Sequence, residues 1–351
     1  MPRSTKPAEQ KIRLCPILFL AAFLLFVAPI WARLMSPPSM ADVRDLSDRA
    51  PHVFRGQVMT VTPPSAAIDR HVSTSSVATF RVDRWYRGEE SPVISLSFRS
   101  PNPIFGNGHD CIDFQPGGYW LVFAVKKGES FEMIDDCIGA LAISPLLGPN
   151  LGAANWSAQM ESDFIAGLAD NHQDARLLSI QRLGGLKLPS SREVLRRTIA
   201  DGDELESKWA VYAALRTGDA TVLPDARRLL AAGDNSLPES AIALELKNIS
   251  DPVAVPELVA ILNDSPGETT RSSAVAALSE NLKDPKTASV LAAHLSDESP
   301  QVRYMAMYGL RNITREPACT LPSGWTEQDI EPQLQQCREW WQQSGRLQPW
   351  H

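Results

Sequence analysis

Few of the side chains that commonly carry chemistry are clustered in this sequence. The six histidines are scattered along the 351 residues, at His52, His71, His109, His172, His294 and His351. Only His109, Asp110 and Cys111 stand together, and a loop that precedes a disulfide accounts for such a group better than a metal site does. The sequence has no G-x-S-x-G, P-loop, H-E-x-x-H or EF-hand motif. We therefore predict no catalytic, cofactor-binding or metal-binding residue, and interpret the protein as a non-enzymatic one.

The five cysteines suit disulfides better than catalysis. Cys15 lies near the N-terminus, and the others form two pairs that are close in sequence, Cys111 with Cys137 and Cys319 with Cys337. None has the C-x-x-C spacing of a zinc or redox motif. We predict that both pairs are structural bridges, and that the bridge from Cys111 to Cys137 stabilises its domain by about 3 kcal/mol in the loop-entropy model.

The N-terminal region indicates an oxidising compartment. Residues 1–13 carry four basic side chains and one acidic one, and residues 14–31 carry no charge. A basic segment followed by an apolar one is typical of a signal peptide or a signal-anchor helix, which we assign to residues 1–41. Ser39, Met40 and Ala41 offer a cleavage site, and Ala32 offers a weaker one. Cleaved or anchored in the membrane, the remaining chain is expected to be extracytoplasmic, whether periplasmic, secreted or tethered.

Length and charge limit the classes of protein that need to be considered. A chain of 351 residues usually contains two domains. The net charge is −7, and no segment is rich in lysine or arginine. Because nucleic-acid binding needs cations that neutralise phosphates, we expect no nucleic acid among the partners.

Residues 42–147 show the alternation of apolar and polar residues that half-buried strands require. Five such segments, separated by turns with glycine or proline, begin near Val53, Val77, Val93, Tyr119 and Phe131. Five short strands in about a hundred residues predict a small β-barrel or sandwich.

The order of these strands resembles the bacterial netrin/TIMP-like domain, an OB-type barrel. The segments that carry the resemblance are VFRGQV, ATFRVDRWYRGE, DCIDFQPGGYWLVFAV and DDCIGA. In family members that inhibit metalloproteases, an N-terminal cysteine of the mature chain reaches the protease zinc. This sequence has no cysteine between Cys15 and Cys111, so the resemblance implies the five-stranded fold without the inhibitory residue. Metalloprotease inhibition through the β domain is kept as an alternative function.

Residues 150–315 contain a repeat. Intervals of 32, 31, 32 and 32 residues separate five leucines, Leu183, Leu215, Leu246, Leu278 and Leu310. A second set with nearly the same spacing marks an earlier helix of each unit, at Ile199, Leu230, Leu262 and Leu295. Two helices per unit at this period predict an α-solenoid of about five helix pairs.

Several features of the repeat resemble the HEAT family. Asp297, Val302 and Arg303 form the Asp-x5-Arg step of that family, whereas the TPR and ankyrin signatures are absent. Short HEAT-like units were first named in phycobilisome lyases. The resemblance implies a right-handed α-solenoid whose surface holds partners. A lyase-like enzyme accessory is a further alternative, although an export signal is out of place in a bilin lyase.

Charged residues recur seven positions before the repeated leucines, at Arg176, Lys208, Glu239, Arg271 and Arg303. We favour a ladder of hydrogen bonds between neighbouring units over a basic binding stripe, because each repeat contacts only its neighbours and because Glu239 would interrupt a stripe.

Residues 316–351 leave the repeat and are interpreted as a C-terminal capping segment. A helix is predicted from Ile330 to Ser344, with Trp340 and Trp341 soon after Cys337. We favour a cap, in which these tryptophans cover the last apolar face of the solenoid, over an aromatic ligand cage.

The predicted function is that of an exported or membrane-tethered scaffold with unidentified protein partners. The architecture and the lack of catalytic motifs support it. Trp209, Tyr304 and Tyr308, on the second helices of their units, are the candidates for partner binding.

Overall fold

The computed structural model describes residues 42–62, 75–88, 91–99, 112–135, 138–152, 155–233, 236–282, 285–320 and 330–347. The predicted leader, residues 1–41, lies outside these ranges, as do Cys111 and Cys137, so the first disulfide stays a prediction. Within the ranges, no helix has the length and apolar character needed to cross a membrane.

The N-terminal part begins with a short helix α1 (Val43–Arg49) and continues as a β-barrel. The strands of the described residues are β1 (His52–Thr62), β2 (Ser75–Arg87), β3 (Val93–Arg99), β4 (Tyr119–Lys127), β5 (Ser130–Met133) and β6 (Ala140–Ala142). Their order is β1-β2-β3-β5-β4, with β4 also paired to β1, so these five strands close into a barrel. The β3–β5 pair is parallel and the other pairs are antiparallel. The predicted five-stranded barrel is confirmed.

Close packing between strands accounts for the glycine in the segment VFRGQV. A Cβ atom on Gly56 would lie 2.6 Å from the carbonyl oxygen of Arg81 on the neighbouring strand. Inside the barrel, Phe54 and Phe80 pack edge to face with ring centroids 5.7 Å apart. Phe80 in turn packs against Phe114 at 5.2 Å, so aromatic side chains fill much of the barrel interior.

The C-terminal part is a HEAT-like solenoid. In the described residues, ten helices form five antiparallel pairs: α2 (Trp156–Gly167) with α3 (Gln173–Leu186), α4 (Arg192–Asp201) with α5 (Glu204–Arg216), α6 (Leu223–Leu230) with α7 (Leu237–Glu245), α8 (Val255–Asp264) with α9 (Glu268–Ala276), and α10 (Ala288–Ala293) with α11 (Pro300–Thr314). Helix α9 runs on into a π-helical turn at Ala277–Leu282. Successive second helices pack on one another, which is how the pairs stack.

The five repeated leucines form the centre of the stack. Each is completely buried: Leu183, Leu215, Leu246, Leu278 and Leu310. The predicted ladder of charged residues is also present. Ion pairs join successive units from Arg176 to Glu206 at 2.7 Å and from Lys208 to Glu239 at 3.2 Å. Glu239, which would interrupt a basic stripe, is therefore an acceptor in the ladder.

The ladder continues toward the C-terminal end of the solenoid. The guanidinium of Arg271 donates to Asp297 of the next unit at 2.9 Å. Arg303 Nη1 donates to the backbone carbonyls of Asp297 and Glu298 at 3.0 and 3.1 Å. The Asp-x5-Arg step therefore ties the end of one helix to the start of the next.

A capping segment closes the last unit. Helix α12 (Glu331–Gln343) follows the fifth pair, and a disulfide joins Cys319 to Cys337 across 18 residues, as predicted. Both sulfur-bearing side chains are buried, and Trp340 and Trp341 pack partly buried against the solenoid core. These contacts match the predicted role of the tryptophans as a cover for the last apolar face.

Candidate partner-binding face

The structure corrects one of the three partner-binding candidates. Trp209 is 0% exposed, and its ring packs edge to face on Tyr212 with centroids 5.3 Å apart. The second helix that carries it, α5, lies between α3 and α7, so no part of the indole reaches the surface. Trp209 is therefore a core residue, whereas Tyr304 and Tyr308 on α11 are half-buried and keep surface for a partner.

The repeat spacing defines equivalent positions in the five second helices. Tyr308 lies two residues before the repeated leucine of its unit, and the equivalents are Gln181, Ala213, Leu244 and Ala276. Tyr304 lies six residues before that leucine, and its equivalents are Leu177, Trp209, Ser240 and Ser272. Both sets lie on one side of their helices, because residues four apart share a face.

Exposure at these positions changes along the solenoid. In the first two units, the four equivalents are at most 2% exposed: Leu177, Gln181, Trp209 and Ala213. In the third unit, by contrast, Leu244 is 47% exposed. We call the positions in units three to five that retain exposed surface the open face, which consists of Ser240, Leu244, Ser272, Tyr304 and Tyr308; Ala276 is 8% exposed and does not belong to it.

The open face has bulky apolar edges and a low centre. Leu237, seven residues before Leu244 on α7, is 42% exposed, so α7 presents two leucines on one side. Tyr304 and Tyr308 lie on α11. Helix α9, which lies between α7 and α11, carries only small side chains at the equivalent positions, Ser272 and Ala276. Neighbouring helices pack about 8–10 Å apart, so α7 and α11 are separated by about 16–20 Å.

A buried charged group holds the barrel against the first helix of the solenoid. The Asp163 carboxylate accepts hydrogen bonds from Arg84 Nη1 at 2.5 Å, from the Tyr86 hydroxyl at 2.6 Å and from the Gly148 amide at 2.8 Å. Arg55 Nη1 lies 4.0 Å from the same carboxylate. Burial and the negative charge of Asp163 raise the pKa of Tyr86 well above its ordinary value, so the phenol stays a donor. The group therefore joins β1 and β2 of the barrel to α2 of the solenoid.

The N-terminal helix is fastened to the ends of two second helices. The Asp42 carboxylate pairs with Lys187 at 2.5 Å and with Arg216 at 3.9 Å. Burial raises the pKa of Asp42, but the hydrogen bonds from Lys187 and Asp45 outweigh it and hold the pKa below its ordinary value. Arg216 also stacks over the Tyr212 ring, with 5.7 Å from the guanidinium carbon to the centroid.

Two pockets at the surface are lined by both polar and apolar residues. A pocket of about 460 Å³ between the barrel and α2 is lined by residues that include Asp83, Trp85 and Trp156. Another of about 540 Å³ lies between α6 and α8, where Arg227 pairs with Glu257 at 3.5 Å and also with Asp264. Within the described ranges, no group of three or more His, Cys, Asp or Glu side chains is placed to hold a metal ion.

Comparisons with known proteins found a similarity among solved structures alone. No family model matches it, and no curated protein matches its sequence. Among solved structures, it is similar to a chain in the complex of CpcE and CpcF of phycocyanin lyase from Nostoc sp. PCC7120. The match covers 49% of this chain and 68% of that chain, with 18% sequence identity and a TM-score of 0.37. A similarity of this size does not bear on function.

Proposed function

We propose that the protein is an exported or membrane-tethered, non-enzymatic scaffold that binds a partner protein through the open face of its solenoid. The observation that carries the proposal is the exposure of Leu244, since its equivalents Gln181, Ala213 and Ala276 are at most 8% exposed. Leu237 and Tyr308 extend the apolar surface to either side. Grouped apolar and aromatic side chains at a surface are typical of protein-binding sites.

The compartment belongs to the proposal as well. The basic segment and uncharged stretch within residues 1–31 favour export or a membrane anchor. The disulfide between Cys319 and Cys337 supports the same view, because such bonds persist mainly in oxidising compartments. Sequencing the N-terminus of the mature protein distinguishes a released chain, which begins after Ala41 or Ala32, from an anchored one.

Substitutions on the open face test the proposal. We expect the double variant Leu244→Glu with Tyr308→Glu to lose its partner in crosslinking and mass spectrometry of the native envelope, because two buried carboxylates would oppose an apolar contact. The matched control is Val253→Glu, which changes a 73% exposed valine outside the second helices. Unchanged partner capture by the double variant, with normal folding by circular dichroism, would rule the open face out.

The alternatives have separate tests. Inhibition through the β domain, to which the netrin/TIMP-like resemblance points, is checked by incubating the mature protein with metalloproteases, and we expect no inhibition. A lyase-like accessory role is checked by the absorption spectrum of the purified protein, where a bound chromophore would contradict the scaffold proposal.

A further inference from the structure

The chain itself provides one example of a segment that is bound against the second helices. Asp42 caps the N-terminus of helix α1, and its carboxylate pairs with Lys187 at the end of α3 and with Arg216 at the end of α5. The side chains of Val43 and Leu46 on the same helix are 0% and 1% exposed. This part of the solenoid therefore binds a short helix that has an apolar side and an acidic residue at its N-terminus.

The cation that receives Asp42 recurs later in the solenoid. Arg216 comes directly after the repeated leucine of its unit, and the residues in that position in units three and five are Lys247 and Arg311. Arg216 is only 8% exposed beneath α1, whereas Lys247 and Arg311 are exposed. Unit four has the buried Ser279 there, which leaves no bulky side chain between the two cations.

These cations lie beside the open face. Lys247 follows Leu244 by three residues and Arg311 follows Tyr308 by three, which is about one turn of a helix or 5 Å. A row of positions with Leu244 and Tyr308 at its two ends therefore runs along the solenoid, next to a row that has a cation at each end. The two rows are complementary to a ligand with an apolar side and an acidic edge.

We infer that the partner presents an acidic amphipathic helix to the open face. This inference rests on the proposed function and specifies the partner of the same site. The apolar side chains of the helix cover Leu244 and Tyr308, and its carboxylates pair with Lys247 and Arg311. Two helix spacings separate the cations by about 16–20 Å, so the paired carboxylates lie about 11–13 residues apart on a helix that rises 1.5 Å per residue.

A pair of synthetic peptides tests this inference on the full chain with its disulfides intact. The probe is an amphipathic peptide of about 18 residues, long enough to reach from Lys247 to Arg311, with leucine and alanine on one side and glutamate along one edge. The comparison peptide has lysine in place of each glutamate. By fluorescence anisotropy, we expect the acidic peptide to bind at least about tenfold more tightly, and its affinity to fall with added salt.

Charge-reversed variants complete the experiment. Lys247→Glu with Arg311→Glu is expected to raise the Kd of the acidic peptide about tenfold or more and to favour the lysine peptide. Arg197→Glu with Arg228→Glu is the matched control, since it changes the net charge equally on the exposed side of the first helices. Equal binding of both peptides, or no effect of reversing Lys247 and Arg311, would overturn the inference.

The outcome separates this inference from the proposed function. A native partner that is lost with Leu244→Glu and Tyr308→Glu, but kept with Lys247→Glu and Arg311→Glu, leaves the open face as the binding site and excludes an acidic helix. A native partner that is kept with both double variants excludes the open face itself.

Discussion

Replacing Asp163 by alanine tests how the barrel and the solenoid are held together. The Asp163 side chain is 0% exposed, and its partners Arg55 and Arg84 are 1% and 15% exposed. Removing one partner from a buried ion pair costs about 3–5 kcal/mol. The Tyr86 hydroxyl also loses its acceptor, at a cost of about 1–3 kcal/mol. Because Arg55 keeps its bonds to two backbone carbonyls, we expect a total loss of about 4 kcal/mol in the free energy of unfolding.

Urea unfolding followed by tryptophan fluorescence and circular dichroism measures this loss. One buried apolar cluster runs from Val53 and Leu121 of the barrel to Met160 and Phe164 of α2, so barrel and solenoid are expected to unfold in one transition. The control is Asp225→Ala, at a surface pair within one helix, where we expect a change below about 0.5 kcal/mol. A loss below about 1 kcal/mol for Asp163→Ala would refute the reasoning.

Three further predictions concern the solenoid. Cys337→Ser removes the bridge to Cys319 and should lower the free energy of unfolding by about 3 kcal/mol, to the level of the reduced wild type. Thermal unfolding with and without reductant measures this loss, and a wild type whose unfolding does not respond to reductant would contradict it. Gly184→Val should lower the free energy of unfolding in urea by about 1–3 kcal/mol, because a Cβ atom at this position would lie 2.7 Å from the Ala213 Cα. An unchanged urea midpoint would show that the two helices move apart without loss of stability. Burial raises the pKa of Asp219, but the hydrogen bonds to its carboxylate outweigh burial, so its pKa in the folded protein is below 3.8. The ionised Asp219 therefore stabilises the folded protein above pH 3.8, and this contribution is lost as the pH falls through the folded pKa. Asp219→Asn should flatten that part of the pH profile of unfolding, and an unaltered profile would exclude the linkage.

Spacing along the chain was enough to predict the stack. The intervals between Leu183 and Leu310 identify second helices because every unit has to bury the same position against its neighbours. The ladder of charged residues was predicted from the same periodicity. Glu239, which would interrupt a basic stripe, is the residue that accepts the ion pair from Lys208 in this ladder. Alternation predicted the five strands and left a barrel or a sandwich open, and the pairing of β1 with β4 closes the barrel.

Exposure and long-range polar contacts were not predictable from the residues alone. Trp209 and Tyr304 occupy equivalent positions, yet Trp209 is buried and Tyr304 retains surface, because neighbouring elements decide which units are covered. The group around Asp163 joins Arg55 and Arg84, which lie 108 and 79 residues earlier, and no local pattern marks such pairs.

Site-specific photo-crosslinking in the native envelope tests the central claim most directly. A photoreactive amino acid is placed at position 244 on the open face, and in a second variant at position 253, which is 73% exposed in the native protein but lies outside the second helices. We predict a discrete crosslinked adduct from position 244 and none from position 253. Adducts of equal yield from both positions, or an adduct from position 253 alone, would contradict the claim that the open face binds the partner.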